Sequence, residues 1–159
     1  MRTAILALLA ILTFTGATAY YPLNIRLPHA PIVLEEEQRA LMADVNAARA
    51  EHGLAPLSAD GRLARAALGH ARDMAAHNYF AHDGGGDGTL ADRLRAVHFD
   101  WTIEAENIAL DSDETHANIA LLQSPGHRAN ILDPQVRYIG VAALSIGAGS
   151  TLYVEDFAR

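Results

Sequence analysis

The 159-residue chain contains no cysteine and no lysine. Without cysteine there can be no disulfide, no thiolate zinc site, no cysteine nucleophile and no lipoprotein anchor. Without lysine, Schiff-base chemistry and P-loop phosphate binding are excluded. All 12 basic residues are arginines, set against 19 acids, for a net charge of -7. Binding to nucleic acid needs clustered cations to neutralise phosphates, so nucleic acid is not an expected partner. Long apolar runs are also scarce. The one that stands out, Ala4 to Phe14, is shorter than the roughly 20 residues that span a bilayer.

That run has Arg2 before it and the small-residue triplet Ala17-Thr18-Ala19 after it, the layout of a secretory signal peptide cut after Ala19. Its removal would make the net charge one unit more negative and leave no transmembrane segment. Residues 20–34, YYPLNIRLPHAPIVL, carry three prolines and no helical period, and read as an extended arm or linker. Residues 35–159 are then a single domain. A mature chain of about 140 residues is large enough to bury roughly 70% of its unfolded surface without covalent staples.

Within the domain, Leu41, Val45 and Ala48 recur at helical spacing behind an acidic first turn, and Gly53 stands where a helix ends. A second helix is expected from a Ser58 cap to about His77, with Leu63, Ala67, His70 and Met74 inward. Asn78 and the run Asp83-Gly-Gly-Gly-Asp-Gly88 mark a loop. Thr89 caps a short third helix with Asp92 as its capping-box partner and Leu90, Leu94 and Val97 inward. The stretch from Trp101 to Ile108 reads as a strand entering a loop. A fourth helix follows at roughly 113–123, with Ile119 and Leu122 buried and Pro125-Gly126 ending it. Residues 138–146 and 151–157 form a terminal β-hairpin. The expected class is α+β: about four helices layered around one antiparallel sheet.

Three residues stand out for chemistry: His82 in YFAHD, Glu106 in EAENIA and His127 in SPGHRANIL. Two imidazoles and a carboxylate suit a divalent transition metal, zinc above all, with a coordination position left open; the same groups can act without metal, with histidine as base and Glu106 orienting it. Other candidates have plainer readings. His70 lies on an apolar helical stripe and reads as a hydrogen-bonded core histidine. His52 fits a contact with the end of the first helix. His29, His77, His98 and His116 read as surface residues. The glycine run reads as a cleft rim more readily than as a calcium loop, which needs several carboxylates in fixed rhythm. Ser124 lacks the setting of a nucleophile elbow. Asn107, Arg128 and Asn130 read as loop organisers, the latter two through backbone carbonyls. Glu104 and Glu155 are candidates for a second cleft acid, since Glu104 can share a face with Glu106 in an extended segment.

In order, the segments VNAARAEHGLAPLSADGRLARAALGHARDMAAHNYFAHD, EAENIA, SPGHRANIL, IGVA and LYVEDF resemble the CAP superfamily, the cysteine-rich secretory, antigen 5 and pathogenesis-related-1 group. The likeness runs over residues 38–157 and is to its short, cysteine-free bacterial branch. It implies a three-layer α-β-α sandwich with a central antiparallel sheet and about four helices, and a cleft in which His82, Glu106 and His127 match family positions. The second acid of eukaryotic members falls near Ser124, so a triad is expected in place of a tetrad. Ala105 stands where glycine is usual and Leu121 where bacterial members often keep tryptophan. The resemblance further implies a secreted, periplasmic or extracellular binding module, not an enzyme, that takes a divalent cation and a small apolar or envelope-derived ligand such as a lipid. The alternative is a metal-assisted hydrolase directed at peptide or cell wall, with Glu106, His82 and His127 as its catalytic groups.

Overall fold

The computed structural model describes residues 21–22 and 35–159. The expectations for residues 1–20 and 23–34, the signal peptide and most of the arm, and the reading of His29, lie outside the described residues. Of the arm, β1 (Tyr21–Pro22) pairs antiparallel with β3 (Tyr79–Phe80).

Helix α1 (Glu35–Glu51) buries Leu41, Val45 and Ala48 and stops where Gly53 adopts a positive φ. His52 meets the carbonyl of Ala48 through Nδ1 at 2.8 Å, the contact with the helix end expected of it. Helix α2 (Gly61–His77) begins two residues later than expected. Asp60, not Ser58, caps it by accepting from the Arg62 backbone N–H. Ser58 and Ala59 form a short strand instead, β2. The inner stripe Leu63, Ala67, His70 and Met74 is buried as read, and Asn78 ends the helix in the left-handed conformation. Helix α3 (Leu90–Ala96) starts at Thr89 with the reciprocal capping box to Asp92 complete.

The strand expected to enter a loop at Ile108 continues as β4 (Glu104–Asp111). Asp113 then caps α4 (Glu114–Gln123). Here one expectation fails: Ile119 is exposed, while Ala117 and Leu121 are the buried residues. The apolar residues of α4 are spread around its circumference, so periodicity could not choose the inner face. The segment read as a chain-turning break is itself a helix, α5 (Pro125–Ile131), giving five helices where about four were expected. Proline suits its first position, where the missing N–H would have had no partner within the helix. Strands β5 (Tyr138–Gly147) and β6 (Ser150–Ala158) form the expected hairpin. Its two-residue loop, Ala148-Gly149, has positive φ at both positions, as a type I′ turn requires.

The main sheet runs β2-β5-β6-β4. It is antiparallel except at one edge, where β2 pairs parallel with β5, so the sheet is mixed. Strand alternation sorts the core into two layers. Ile139, Val141, Ala143, Tyr153 and Phe157 pack with α1, α4 and α5. Ala142, Leu144, Ile146, Leu152, Val154 and Ile108 pack with α2, and Ala158 packs with Leu63 of α2 and Leu94 of α3. The result is the α-β-α sandwich. Gly140 sets one spacing in it: a Cβ there would fall 2.1 Å from the Leu63 carbonyl carbon, so only glycine lets α2 lie this close to β5. No described helix is long and apolar enough to cross a membrane.

Candidate functional site

Glu106 lies on the second layer of β4, facing α2 and α3. Its carboxylate, 3% exposed, accepts from His82 Nδ1 at Oε1 (2.8 Å) and from Arg93 Nη2 at Oε2 (2.6 Å). Burial alone would raise its pKa, but the His82 hydrogen bond and the positive charges of His70, Arg93 and His82 outweigh that and hold it below the ordinary value. An ionised Glu106 can only accept, so His82 donates to it from Nδ1. The His82 side chain is 43% exposed, so the ring is within reach of solvent and ligand.

His127, the third residue of α5, stands across from His82 with ring centroids 6.5 Å apart and planes at 55°. Burial, and then the proximity of His82, lower its pKa, which keeps the imidazole neutral at pH 7. Its placement depends on fully buried Asn107, the reverse-face neighbour of Glu106 on β4. Asn107 donates through Nδ2 to the His127 carbonyl (3.2 Å) and to Glu155 Oε2 (2.9 Å), and its Oδ1 accepts from Asn130 Nδ2. Asn130 also donates to the Glu106 carbonyl, as expected of a loop organiser. Among the described residues, Arg128 reaches no backbone carbonyl; its Nη2 lies 3.0 Å from His52 Nε2.

Of the two candidates for a second cleft acid, strand alternation places Glu104 on the face of Glu106, while Glu155 points to the opposite layer. Directly across the ladder from Glu106 stands Asp156, fully buried, with no N–H or O–H donor at either oxygen. Burial and the Glu106 charge push its pKa well above the usual range, so it is the neutral acid and can donate to Glu106. Register between β4 and β6 creates this pair, and nothing local in EAENIA or LYVEDF announces it. Arg93, on α3, and Asp87, in the glycine run, reach the site by tertiary packing that no local motif announces either. Ser124 caps α5 without a side-chain bond.

The glycine run is the rim of this cleft. Asp73 on α2 accepts from the Gly86 N–H and the Tyr79 hydroxyl, while the Asp87 carboxylate meets His70 Nδ1 at 2.7 Å. His70 is buried and hydrogen-bonded, as its position on the stripe predicted. The remaining histidines among the described residues, His77, His98 and His116, are exposed as read.

A family model described as the cysteine-rich secretory protein family, CAP, matches residues 42–157. The chain belongs to this family. A relative, the uncharacterized membrane protein YlbC of Bacillus subtilis strain 168, is 33% identical over 123 residues, which cover 77% of this chain and 34% of that protein. Among solved structures, an extracellular SCP-domain protein of Bacillus anthracis strain Ames is 34% identical with a TM-score of 0.70, covering 79% of this chain and 41% of that one. An outer surface protein of Borrelia burgdorferi is 20% identical with a TM-score of 0.75, covering 82% and 97%. The CAP chain described here therefore spans well under half the length of YlbC and of the B. anthracis protein.

The metal implied by the CAP resemblance can be tested against the donor set. Among the described residues, no three His, Cys, Asp or Glu side chains form a group with metal-holding geometry. What the cleft offers is two facing imidazoles, His127 neutral and His82 hydrogen-bonded through Nδ1, and a carboxylate whose two oxygens are already engaged.

Proposed function

We propose that this is an exported CAP binding module, not an enzyme, whose cleft presents His82 Nε2 and His127 to a ligand and takes a divalent cation, zinc by preference, weakly and reversibly. The observation that carries this reading is the commitment of Glu106. Its oxygens are held by His82 and Arg93 and its side chain is 3% exposed, so it orients His82 and stands too deep to activate water as a hydrolase base. The three-ligand set of the sequence reading becomes two imidazoles with a carboxylate behind them. A bound cation would supply positive charge to attract an anionic or carbonyl-bearing group.

The apolar part of a ligand has a second surface to use. Along α4 and α5, Leu122, Pro125, Ala129 and Leu132 line a groove of about 460 Å³ with Arg128 at its wall and exposed Ile119 one turn away on α4. An envelope-derived molecule with an acyl chain and an anionic head suits that lining. The signal-peptide layout, and the extracellular B. anthracis and outer-surface B. burgdorferi neighbours, support a location outside the cytoplasm.

The experiment is native mass spectrometry of the protein recovered from its host's exported fraction, paired with a peptide and glycan cleavage panel. A co-purifying amphiphile and no cleavage are expected. Cleavage activity that disappears in Glu106→Gln would overturn the binding reading in favour of the hydrolase.

A further inference from the structure

His82 and His127 reach the cleft from opposite layers of the sandwich, and β4 is the strand between them. Consecutive residues of a strand face opposite ways. Glu106 turns to the α2 side with Ile108, and Asn107 turns to the α5 side with Ala105 and Ala109. Each of the two holds one histidine. Glu106 Oε1 meets the His82 ring at 2.8 Å, and Asn107 Nδ2 donates to the His127 carbonyl at 3.2 Å.

The Asn107 amide has no freedom to turn. It is fully buried; its two N–H groups go to the His127 carbonyl and to Glu155 Oε2 (2.9 Å), and its Oδ1 accepts from Asn130 Nδ2 (2.9 Å). Reversing the amide would aim its oxygen at two acceptors and its nitrogen at a donor. Asn130 also donates to the Glu106 carbonyl at 3.2 Å, so α5 is stitched to β4 at both residues of the pair. The rear of α5 is held by a different element. Arg49 and His52, at the end of α1, meet the Ile131 carbonyl and the Arg128 guanidinium. The front attachment therefore joins His127 to the strand that holds His82, and the rear one does not.

We propose that Asn107 and Asn130 are positioning residues that set the width of the cleft. Glu106 and Asn107 act as a caliper, one residue for each histidine, and α5 is a jaw whose front is fixed by amide hydrogen bonds to β4. The separation of 6.5 Å between the rings is then built into the peptide unit between residues 106 and 107. That width decides which ligands can touch both imidazoles at once. The proposal deepens the reading of His82 and His127 as the binding pair and rests on it for its purpose, not for its geometry.

The test is to compare crystal structures of the metal-free wild type, Asn107→Ala, Asn130→Ala and Arg49→Met, with a thermal melt of each. Both asparagine variants should move the His127 ring away from His82 by about 1 Å or more, the scale at which a site becomes too loose, or spread it over several positions. His82 should keep its contact with Glu106. Arg49→Met should lower the melting temperature and leave the separation of the rings as it is in wild type. Unchanged separation in the asparagine variants overturns the proposal, and so does an equal displacement in Arg49→Met, which would mean that any loosening of α5 moves His127. Should Asn107→Ala not fold, Asn130→Ala decides: the side chain is half-buried and alanine keeps α5 helical. No ligand enters these measurements, so the expected displacement together with no response to zinc in wild type would overturn the binding reading alone.

Discussion

Replacing Glu155 by glutamine should stabilise the protein at alkaline pH and do little at acid pH. The Glu155 side chain is completely enclosed on β6; Oε2 accepts from Asn107 Nδ2 at 2.9 Å, and Oε1 has no partner. Burial pushes its pKa up to about 7, only partly offset by the Asn107 hydrogen bond, from an ordinary 4.5. The folded-state value is raised, so the stability linked to this group is fully present below about pH 4.5 and is lost as pH rises through 7. The rise of about 2.5 corresponds to about 3 kcal/mol, most of it lost between about pH 4.5 and 7. Glutamine has nearly the same shape, can still accept from Asn107 and cannot ionise. Urea unfolding of both proteins at about pH 4 and pH 9 should give nearly equal stabilities at the lower pH and an advantage for Glu155→Gln of about 3 kcal/mol at the higher, or roughly 10 °C in melting temperature for a domain of this size. A glutamine effect of the same size at both pH values would refute the reasoning, since it would reflect packing or hydrogen bonding and not ionisation.

Other outcomes follow from the same structure. Gly140→Ala places a Cβ 2.1 Å from the Leu63 carbonyl carbon and 2.2 Å from the Ala64 nitrogen, both backbone atoms that cannot rotate away; denaturant titration should show a loss of 1–3 kcal/mol or more, of the order of core overpacking. Arg49 is buried and donates to the carbonyls of Ala55, Ile131 and Asp133, tying the end of α1 to the end of α5; Arg49→Met should leave these acceptors unpaired and cost about 3 kcal/mol by urea unfolding. His127 has a lowered pKa, so the stability linked to it is present above pH 6.5 and is lost as pH falls through its folded-state value. Its proton NMR titration should have a midpoint below that of a free imidazole, and His127→Gln should remove that part of the acid destabilisation.

Legibility from sequence divides by the range of the interactions. Helices α1 and α2 were readable because Leu41-Val45-Ala48 and Leu63-Ala67-His70-Met74 repeat at the helical period, and α3 because Thr89 and Asp92 carry its cap locally. The α4 face was not readable, since its apolar residues surround the helix, and the start of α2 was misread because both Ser58 and Asp60 are competent caps. Pro125 was taken as a break although proline equally opens a helix, which α5 then proves. His82, Glu106 and His127 came from ordered motifs. Their supports, Asp156, Arg93 and Asp87, come from cross-strand register and from helix packing across 13 to 50 positions of sequence, for which no single segment holds a signal.

If His82 and His127 form one cation-competent pair, thermal melting with and without zinc separates wild type from the His82→Ala, His127→Ala double variant. Zinc should raise the wild-type melting temperature and leave that of the double variant unchanged. Equal shifts in the two proteins, or no shift in wild type, would show that the pair does not hold the metal.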